Sequence, residues 1–378
     1  MLNKIKEFLS CFLPLPYRRA VQQDKALALK IEDIKQILEK SNVSFEKDSK
    51  SLETHLQFIK MNAEETNQQL VSKLQNIEKQ VSELLTGLQS VKAGTVQQTN
   101  KMAADLRSIE TKMLRVQQQP RLSYFALGIL DHCNLNCKGC DVFSSIAEER
   151  FVSLKDIQND LRQISLLTRG DVTRINILGG EPLLHPDLLE ILRIARETFP
   201  KTLLQVVSNG LLLLNKKDDF WSICRENDIV VVVTKYPINI DHSTMLEVAK
   251  SNQVKFHFYG NTDTITKTSY KMPMDIDGLQ DARRSFWNCY HVNTCPILKE
   301  GKLYPCSPSS GAIHFNRRFG THMDMEADDY LDIYSVKDNA ELLSFLSTPK
   351  PFCRFCKTAE RTFGHTWEQS KKDISEWT

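Results

Sequence analysis

The sequence predicts an α/β protein: a parallel sheet of βα units, preceded by a long helical coiled coil and followed by a small cysteine-rich module. Three observations carry this. No proline occurs between Pro16 and Pro120, and apolar residues recur there in steps of three and four. From residue 125 onward, short β-branched or apolar runs alternate with helical stretches. Eight of the ten cysteines fall in two groups, 133–140 and 289–356, with Cys11 and Cys224 apart.

A length of 378 residues suits two or three domains. The formal charge of +2 gives no reason to invoke nucleic acid as a partner. No run of about 18 apolar residues is present, so no spanning helix is expected. Residues 1–24 carry a short apolar run between basic residues. Glu7 interrupts it and Pro14 and Pro16 stop it, so it reads as an amphipathic segment able to touch a membrane surface rather than as an export signal. Clustered C-x-x-C pairs without such a signal indicate metal binding in a reducing compartment. The expected location is cytoplasmic, peripheral to the inner membrane face.

Residues 25–119 form the expected coiled coil. Its seam runs through Ile31, Ile34, Leu38, Phe45, Leu52, Leu56, Ile59, Ala63 and Leu70. It continues through Leu74, Ile77, Val81, Leu84, Leu88, Val91, Met102, Leu106, Ile109, Met113 and Val116. Only a narrow stripe is apolar, so this region is not an enzyme core. It suits homo-oligomerisation, with the alternative that it packs on its own domain.

Residues 120–270 form the expected core. Strands are predicted at 125–130, 174–180, 203–210, 229–234 and 255–260, separated by helical stretches. One helix opens on a capping pattern, Ser153 to Asp156, and another begins near Pro186. Strands alternating with helices imply a parallel sheet with its chemistry at the carboxyl ends of the strands. Residues 271–378 read as a separate module, in which "CPILKEGKLYPC" is a hairpin turning at Glu300-Gly301.

The loop after the first predicted strand is "DHCNLNCKGCD", with Cys133, Cys137 and Cys140. A structural zinc site needs four ligands. Three cysteines can instead hold three irons of a [4Fe–4S] cluster and leave the fourth iron open to a small molecule. The alternative is zinc completed by His132 or a distant residue.

The C-x3-C-x2-C spacing resembles the signature of the radical S-adenosylmethionine (SAM) superfamily, and the rest of the core supports the likeness. "GGEP", Gly179, Gly180, Glu181 and Pro182, ends the second strand, where the family places its contact to the SAM amino group. "SNG", Ser208 to Gly210, ends the third strand and looks like the polar contact to SAM ribose or carboxylate through Ser208 and Asn209. "TKYP" ends the fourth with Thr234, Lys235 and Tyr236. The resemblance spans about residues 122–360. It implies a partial (β/α)6 TIM-like barrel, a SAM-binding [4Fe–4S] cluster, and reductive cleavage of SAM to a 5′-deoxyadenosyl radical that removes hydrogen from substrate. One departure is Gly139, where the family often has an aromatic residue near the adenine; Phe143 is the expected substitute.

The second cysteine group resembles the auxiliary-cluster modules called SPASM and twitch. Cys289, Cys306, Cys353 and Cys356 would hold one auxiliary [4Fe–4S] cluster, with Cys295 the alternative to Cys289 and zinc the alternative metal. The resemblance implies a sugar or nucleotide sugar of surface-glycan biosynthesis as substrate, oxidised or epimerised at a carbinol carbon. It also implies an electron donor such as flavodoxin or ferredoxin. A peptide substrate and a non-catalytic scaffold are the alternatives. A ketone product requires a general base; Lys235, Tyr236, Arg283, Arg284 and His314 are candidates, with Cys295 as a hydrogen donor if the reaction is an epimerisation.

Overall fold

The computed structural model describes residues 26, 29–37, 39–41, 46–55, 68–259 and 267–378. The segment 1–24, Cys11 and the seam residues Leu38, Phe45, Leu56, Ile59 and Ala63 lie outside them, as do the side chains of Leu70 and Leu74. The chain divides into two compact units, Met1–Thr111 and Lys112–Thr378.

In the first unit, residues 29–37 and 46–55 are helical, and the helix α1 (Gln68–Val116) extends over 49 residues. Its seam residues Ile77, Leu84, Leu88 and Val91 are exposed. No helix among the described residues is long and apolar enough to cross a membrane.

The second unit is built on an eight-stranded sheet. The strands and helices in order are β1 (Tyr124–Gly128), α2 (Leu154–Thr168), β2 (Arg174–Leu178), α3 (Leu188–Thr198), β3 (Leu203–Ser208), α4 (Asp218–Glu226), β4 (Ile229–Val233), α5 (His242–Ser251) and β5 (Phe256–Phe258). Then follow β6 (Thr268–Lys271), α6 (Ala282–Asn288), β7 (Ile297–Lys299), β8 (Lys302–Tyr304), α7 (Ser307–Phe319), β9 (Leu331–Asp332), α8 (Asn339–Leu346) and β10 (Thr362–Thr366). The sheet order is β5-β4-β3-β2-β1-β7-β8-β9, while β10 and β6 pair separately.

The five predicted strands are present in parallel register, as βα alternation requires. Strand β4, Ile229 followed by four valines, is buried throughout, as suits a strand covered on both faces. The helices start where local chemistry satisfies their free N–H groups. Ser153 accepts from the Asp156 N–H at 3.1 Å, as the capping pattern predicts. The apolar faces of the helices pack on the sheet, with Ile157, Leu161, Ile191, Leu192 and Trp221 against Phe125, Ile175, Leu204 and Val231. Each such side chain contributes about 1.5–3 kcal/mol when fully buried.

The sixth parallel strand does not follow β5. It is β7, whose Ile297 and Leu298 pair with Ala126 and Leu127 of β1. The open edge of β1 is thereby covered by the hairpin β7–β8. That hairpin turns at Glu300 and Gly301, both with positive φ (50° and 74°), the combination of a two-residue type I′ turn. A second core, of Phe143, Met274, Phe315, Phe352, Phe355 and Trp377, packs the module around the residues that follow Cys140.

Candidate active site

The loop after β1 carries Cys133, Cys137 and Cys140 past the ends of β2, β3 and β4, and each neighbour contributes a contact. From β3, Asn209 Nδ2 lies 3.6 Å from Cys133 Sγ and donates to Asn134 Oδ1 at 2.8 Å. From beyond β4, the Tyr236 hydroxyl faces Cys137. Burial and these thiols together push its ionisation far above the ordinary tyrosine value. Burial pushes the Cys133 and Cys140 thiols up to about 12, with Glu181 and Asp141 respectively adding to it. A cationic iron centre relieves that penalty, because thiolates are the ligating form. The donor set thus fits an iron–sulfur cluster.

The glycines of GGEP serve a purpose the sequence does not show. They admit the cysteine loop itself. A Cβ on Gly179 would meet the Leu130 oxygen at 2.3 Å, and one on Gly180 would meet the His132 oxygen at 1.8 Å. The Gly180 and Glu181 N–H groups donate to those same two carbonyls, at 3.3 and 3.2 Å.

Glu181 is 1% exposed. Its carboxylate accepts from Leu183 N at 3.1 Å, Ser208 Oγ at 2.7 Å and Asn209 N at 2.9 Å. A carboxylate offers about four lone-pair sites, so three are committed, two of them tying the end of β2 to the end of β3 and one capping the turn that follows. Burial raises its pKa, against which these three hydrogen bonds act. Pro182 is buried at the head of a short 3-10 turn, and the Thr234 N–H donates to Ser208 O at 3.0 Å. All of the predicted strand-end residues therefore gather beside the cysteine loop.

Phe143 does not sit at an open site. It is 1% exposed, has φ of 58°, and packs against Phe315 and Trp377 with centroids 5.2 and 6.0 Å away. Its ring anchors the loop in the second core. Gly139 has a matching cause: its φ is +63°, and a Cβ there would meet the Glu376 oxygen at 3.3 Å. A left-handed backbone under a neighbouring strand of chain excludes the aromatic residue common in the family.

That neighbouring chain is a strap. Lys138 N donates to Glu368 O at 3.0 Å, Ser370 N to Asn136 O at 3.0 Å, and Trp377 Nε1 to Cys140 O at 2.9 Å. Trp367 packs on Tyr236 at 5.7 Å.

The second group also assembles. Cys289, Cys306, Cys353 and Cys356 lie within electrostatic reach of one another, Cys356 buried and the other three half-buried, and desolvation is the first cause that raises each thiol's pKa. Cys295 faces Cys289 and Asp141 rather than the other three, which makes Cys289 the fourth member of the set. Among the described residues, no three His, Cys, Asp or Glu side chains are placed to hold a single metal ion. Cys224 is an ordinary buried thiol in the main core.

The catalytic candidates separate. Tyr236 reaches the cysteine loop. Lys235 lies over the Phe258 ring at 4.0 Å. Arg283 and Arg284 are exposed on α6 and are not brought to the site. His314 is buried, with Nε2 3.5 Å from Asp131 Oδ2.

Sequence reasoning passed over the two aspartates that flank the cysteine motif. Asp141 accepts from the Tyr270 hydroxyl at 2.8 Å, and that hydroxyl lies 3.0 Å from His291 Nε2. This places a polar triad directly after Cys140. Asp131 pairs with the buried Lys299 and with Arg150 at 3.0 Å. Burial alone would raise the Asp131 pKa, but His314 and Lys299 outweigh it and hold the carboxyl well below its usual range. The only sequence signal for either aspartate was its place at an end of the quoted motif.

The Asp131 network supplies a prediction. A depressed folded pKa contributes stability that is present above the ordinary carboxylate value, about 4, and is lost as pH falls through the lower folded value. Asp131→Asn should cost about 3–5 kcal/mol at neutral pH, because it strands a buried ammonium. It should also flatten the acid limb of the stability profile, as read by denaturant melts from pH 7 to pH 2.

Residues 128–251 match the family model described as the radical SAM superfamily. That segment, about a third of the chain, is a radical SAM domain, and its donor set fits the [4Fe–4S] cluster and SAM that such domains use. Such enzymes take small-molecule or peptide substrates together with a reductant. The chain is similar to GTP 3′,8-cyclases. It is 29% identical over 266 residues to GTP 3′,8-cyclase 1 of Mycobacterium tuberculosis (strain ATCC 25618 / H37Rv), covering 64% of this chain and 72% of that protein. It is 30% identical over 105 residues to the Trichodesmium erythraeum enzyme and 33% over 97 residues to that of Chlorobaculum tepidum. Those matches cover 26% of this chain in each case, and 31% and 28% of the relatives. The chain thus spans under a third of the length of these two relatives. Among solved structures, BtrN in complex with AdoMet and 2-DOIA aligns at 15% identity with a TM-score of 0.38, over 62% of this chain and 92% of that one.

Proposed function

We propose that this enzyme removes a hydrogen atom from a carbinol carbon of a sugar or nucleotide sugar, oxidising or epimerising it. The observation that carries this reading is the polar triad Asp141–Tyr270–His291 set against the last cysteine of the cluster loop. Groups of this kind hydrogen-bond hydroxyls, which a sugar offers densely. The similarity to enzymes named for GTP agrees with a nucleotide-bearing substrate.

Cys133, Cys137 and Cys140 would hold the SAM-binding cluster, and Cys289, Cys306, Cys353 and Cys356 an auxiliary [4Fe–4S] cluster. When bound, the first cluster would supply the electron that cleaves SAM to a 5′-deoxyadenosyl radical, and the second would serve as a one-electron acceptor. The protein's own part is positional. Glu181 locks the ends of β2 and β3, Tyr236 and Trp367 roof the loop, and the strap excludes water from Cys140. Tyr270 would hydrogen-bond the substrate hydroxyl and pass its proton on to the Asp141 carboxylate, which accepts from the Tyr270 hydroxyl at 2.8 Å. The exposed seam of α1 supports assembly with a second copy of the chain, and residues 1–24 support attachment to the inner face of the membrane.

The test is anaerobic. Reconstituted protein with dithionite and SAM should form 5′-deoxyadenosine, and Cys137→Ala should not. The sugar reading predicts that nucleotide sugars accelerate this formation. Acceleration by a peptide library but by no nucleotide sugar would refute it.

A further inference from the structure

The last turn of α1 does not simply lead into the catalytic unit. Four polar contacts bind it to the segment that carries Cys289. Arg115 Nη1 donates to the Cys289 carbonyl at 3.0 Å, and Lys112 Nζ to Asn288 Oδ1 at 3.1 Å. In return, Asn293 Nδ2 donates to Arg115 O at 2.6 Å and to Gln117 O at 3.2 Å. These carbonyls stand at the C-terminal end of a helix, where no intrahelical partner remains. Met113 and Val116 are 5% and 4% exposed beside them. The segment 288–293 is thus held at both ends by the helix terminus, over a sequence separation of more than 170 residues.

We propose that Arg115 is a positioning residue for the auxiliary cluster, fixing the Cys289 ligand through its carbonyl and bringing a positive charge to it. This rests on the reading of Cys289, Cys306, Cys353 and Cys356 as a cluster site. The geometry carries this: the Arg115 guanidinium donates to the Cys289 carbonyl at 3.0 Å, and the His291 N–H lies 3.4 Å from the Cys289 sulfur.

The experiment counts iron and follows its loss. Wild-type protein reconstituted anaerobically should hold about eight irons per chain. Arg115→Gln should surrender about four of these to a ferrous chelator roughly tenfold faster than wild type, since a hydrogen bond from a charged group is worth about 1.5–3 kcal/mol. The reduced auxiliary signal in electron paramagnetic resonance should shift to lower potential, and the other four irons should remain. Arg115→Lys, which keeps the charge, should restore much of the potential. If Arg115→Gln does not fold, as judged by circular dichroism, Asn293→Ser removes the reciprocal donation and should speed the same loss. Unchanged iron kinetics and potential in the folded variants would overturn the proposal. A wild-type protein holding only four irons, unaffected by Cys306→Ala, would overturn the auxiliary-cluster reading itself and the proposal with it.

Discussion

Gly180→Ala should leave the protein unable to hold its first cluster, although the substitution adds one methyl group and replaces no ligand. The added Cβ would fall 1.8 Å from the His132 carbonyl oxygen and 2.8 Å from Cys133 N. Both are backbone atoms, so no side chain can swing aside. Either β2 must part from the loop, breaking the Glu181 N–H to His132 O hydrogen bond, or the loop must move and carry Cys133 with it. Overpacking a tight site costs about 1–3 kcal/mol, and this contact is far tighter than any side chain tolerates. We expect the four irons of the Cys133–Cys140 site to be missing after reconstitution, and no 5′-deoxyadenosine to form. Iron content matching wild type would show that the loop yields more readily than its hydrogen bonds imply.

The second large effect should come from Glu181→Gln. The change conserves shape but replaces one acceptor oxygen with an NH2 group. With the amide oxygen accepting from Ser208 and Leu183, the amide nitrogen points at the Asn209 N–H, donor against donor. The flipped amide meets the same conflict at the Leu183 N–H, although the Ser208 hydroxyl can turn to accept from it. An unsatisfied buried donor costs about 1–3 kcal/mol, a loss that denaturant melts will read. The displaced backbone at Asn209 also carries the side chain that reaches Cys133. SAM affinity should therefore fall by about tenfold or more, measured calorimetrically on the anaerobic protein. A variant that loses stability but keeps SAM affinity would confine Glu181 to holding the sheet together.

Much of this architecture was legible in the sequence because it rests on local pattern. The runs "RINIL", "LLQVVS" and "IVVVV" declare buried strands by β-branched content, and Ser153 with Asp156 declares a helix start. The C-x3-C-x2-C loop, GGEP and SNG declared a meeting point at the strand ends, and the chain brings them there. What stayed hidden depends on contacts far apart in sequence. The pairing of β7 with β1 joins residues about 170 positions apart and has no periodicity of its own. Phe143 looked like an aromatic near a cofactor; only the packing of Phe315 and Trp377 around it shows that it belongs to a core. Asp131 and Asp141 stood in plain view beside the cysteines. Their meaning came from Lys299, His314, Tyr270 and His291, which no spacing rule connects to them.

The strap has a consequence for the life of the chain. Trp377 closes on the Cys140 carbonyl over a sequence separation of 237, and residues 368–370 seal the other side of the same loop. During synthesis, the cysteine loop leaves the ribosome long before the segment that shelters it. Until that segment arrives, three reactive thiols stand open to oxygen, to stray copper or zinc, and to the machinery that delivers iron and sulfur. The nascent protein therefore passes through an interval in which its cluster can be installed freely and also lost freely. Completion of the strap slows both at once. Delivery before closure, rather than repair afterwards, becomes the economical route to a loaded enzyme.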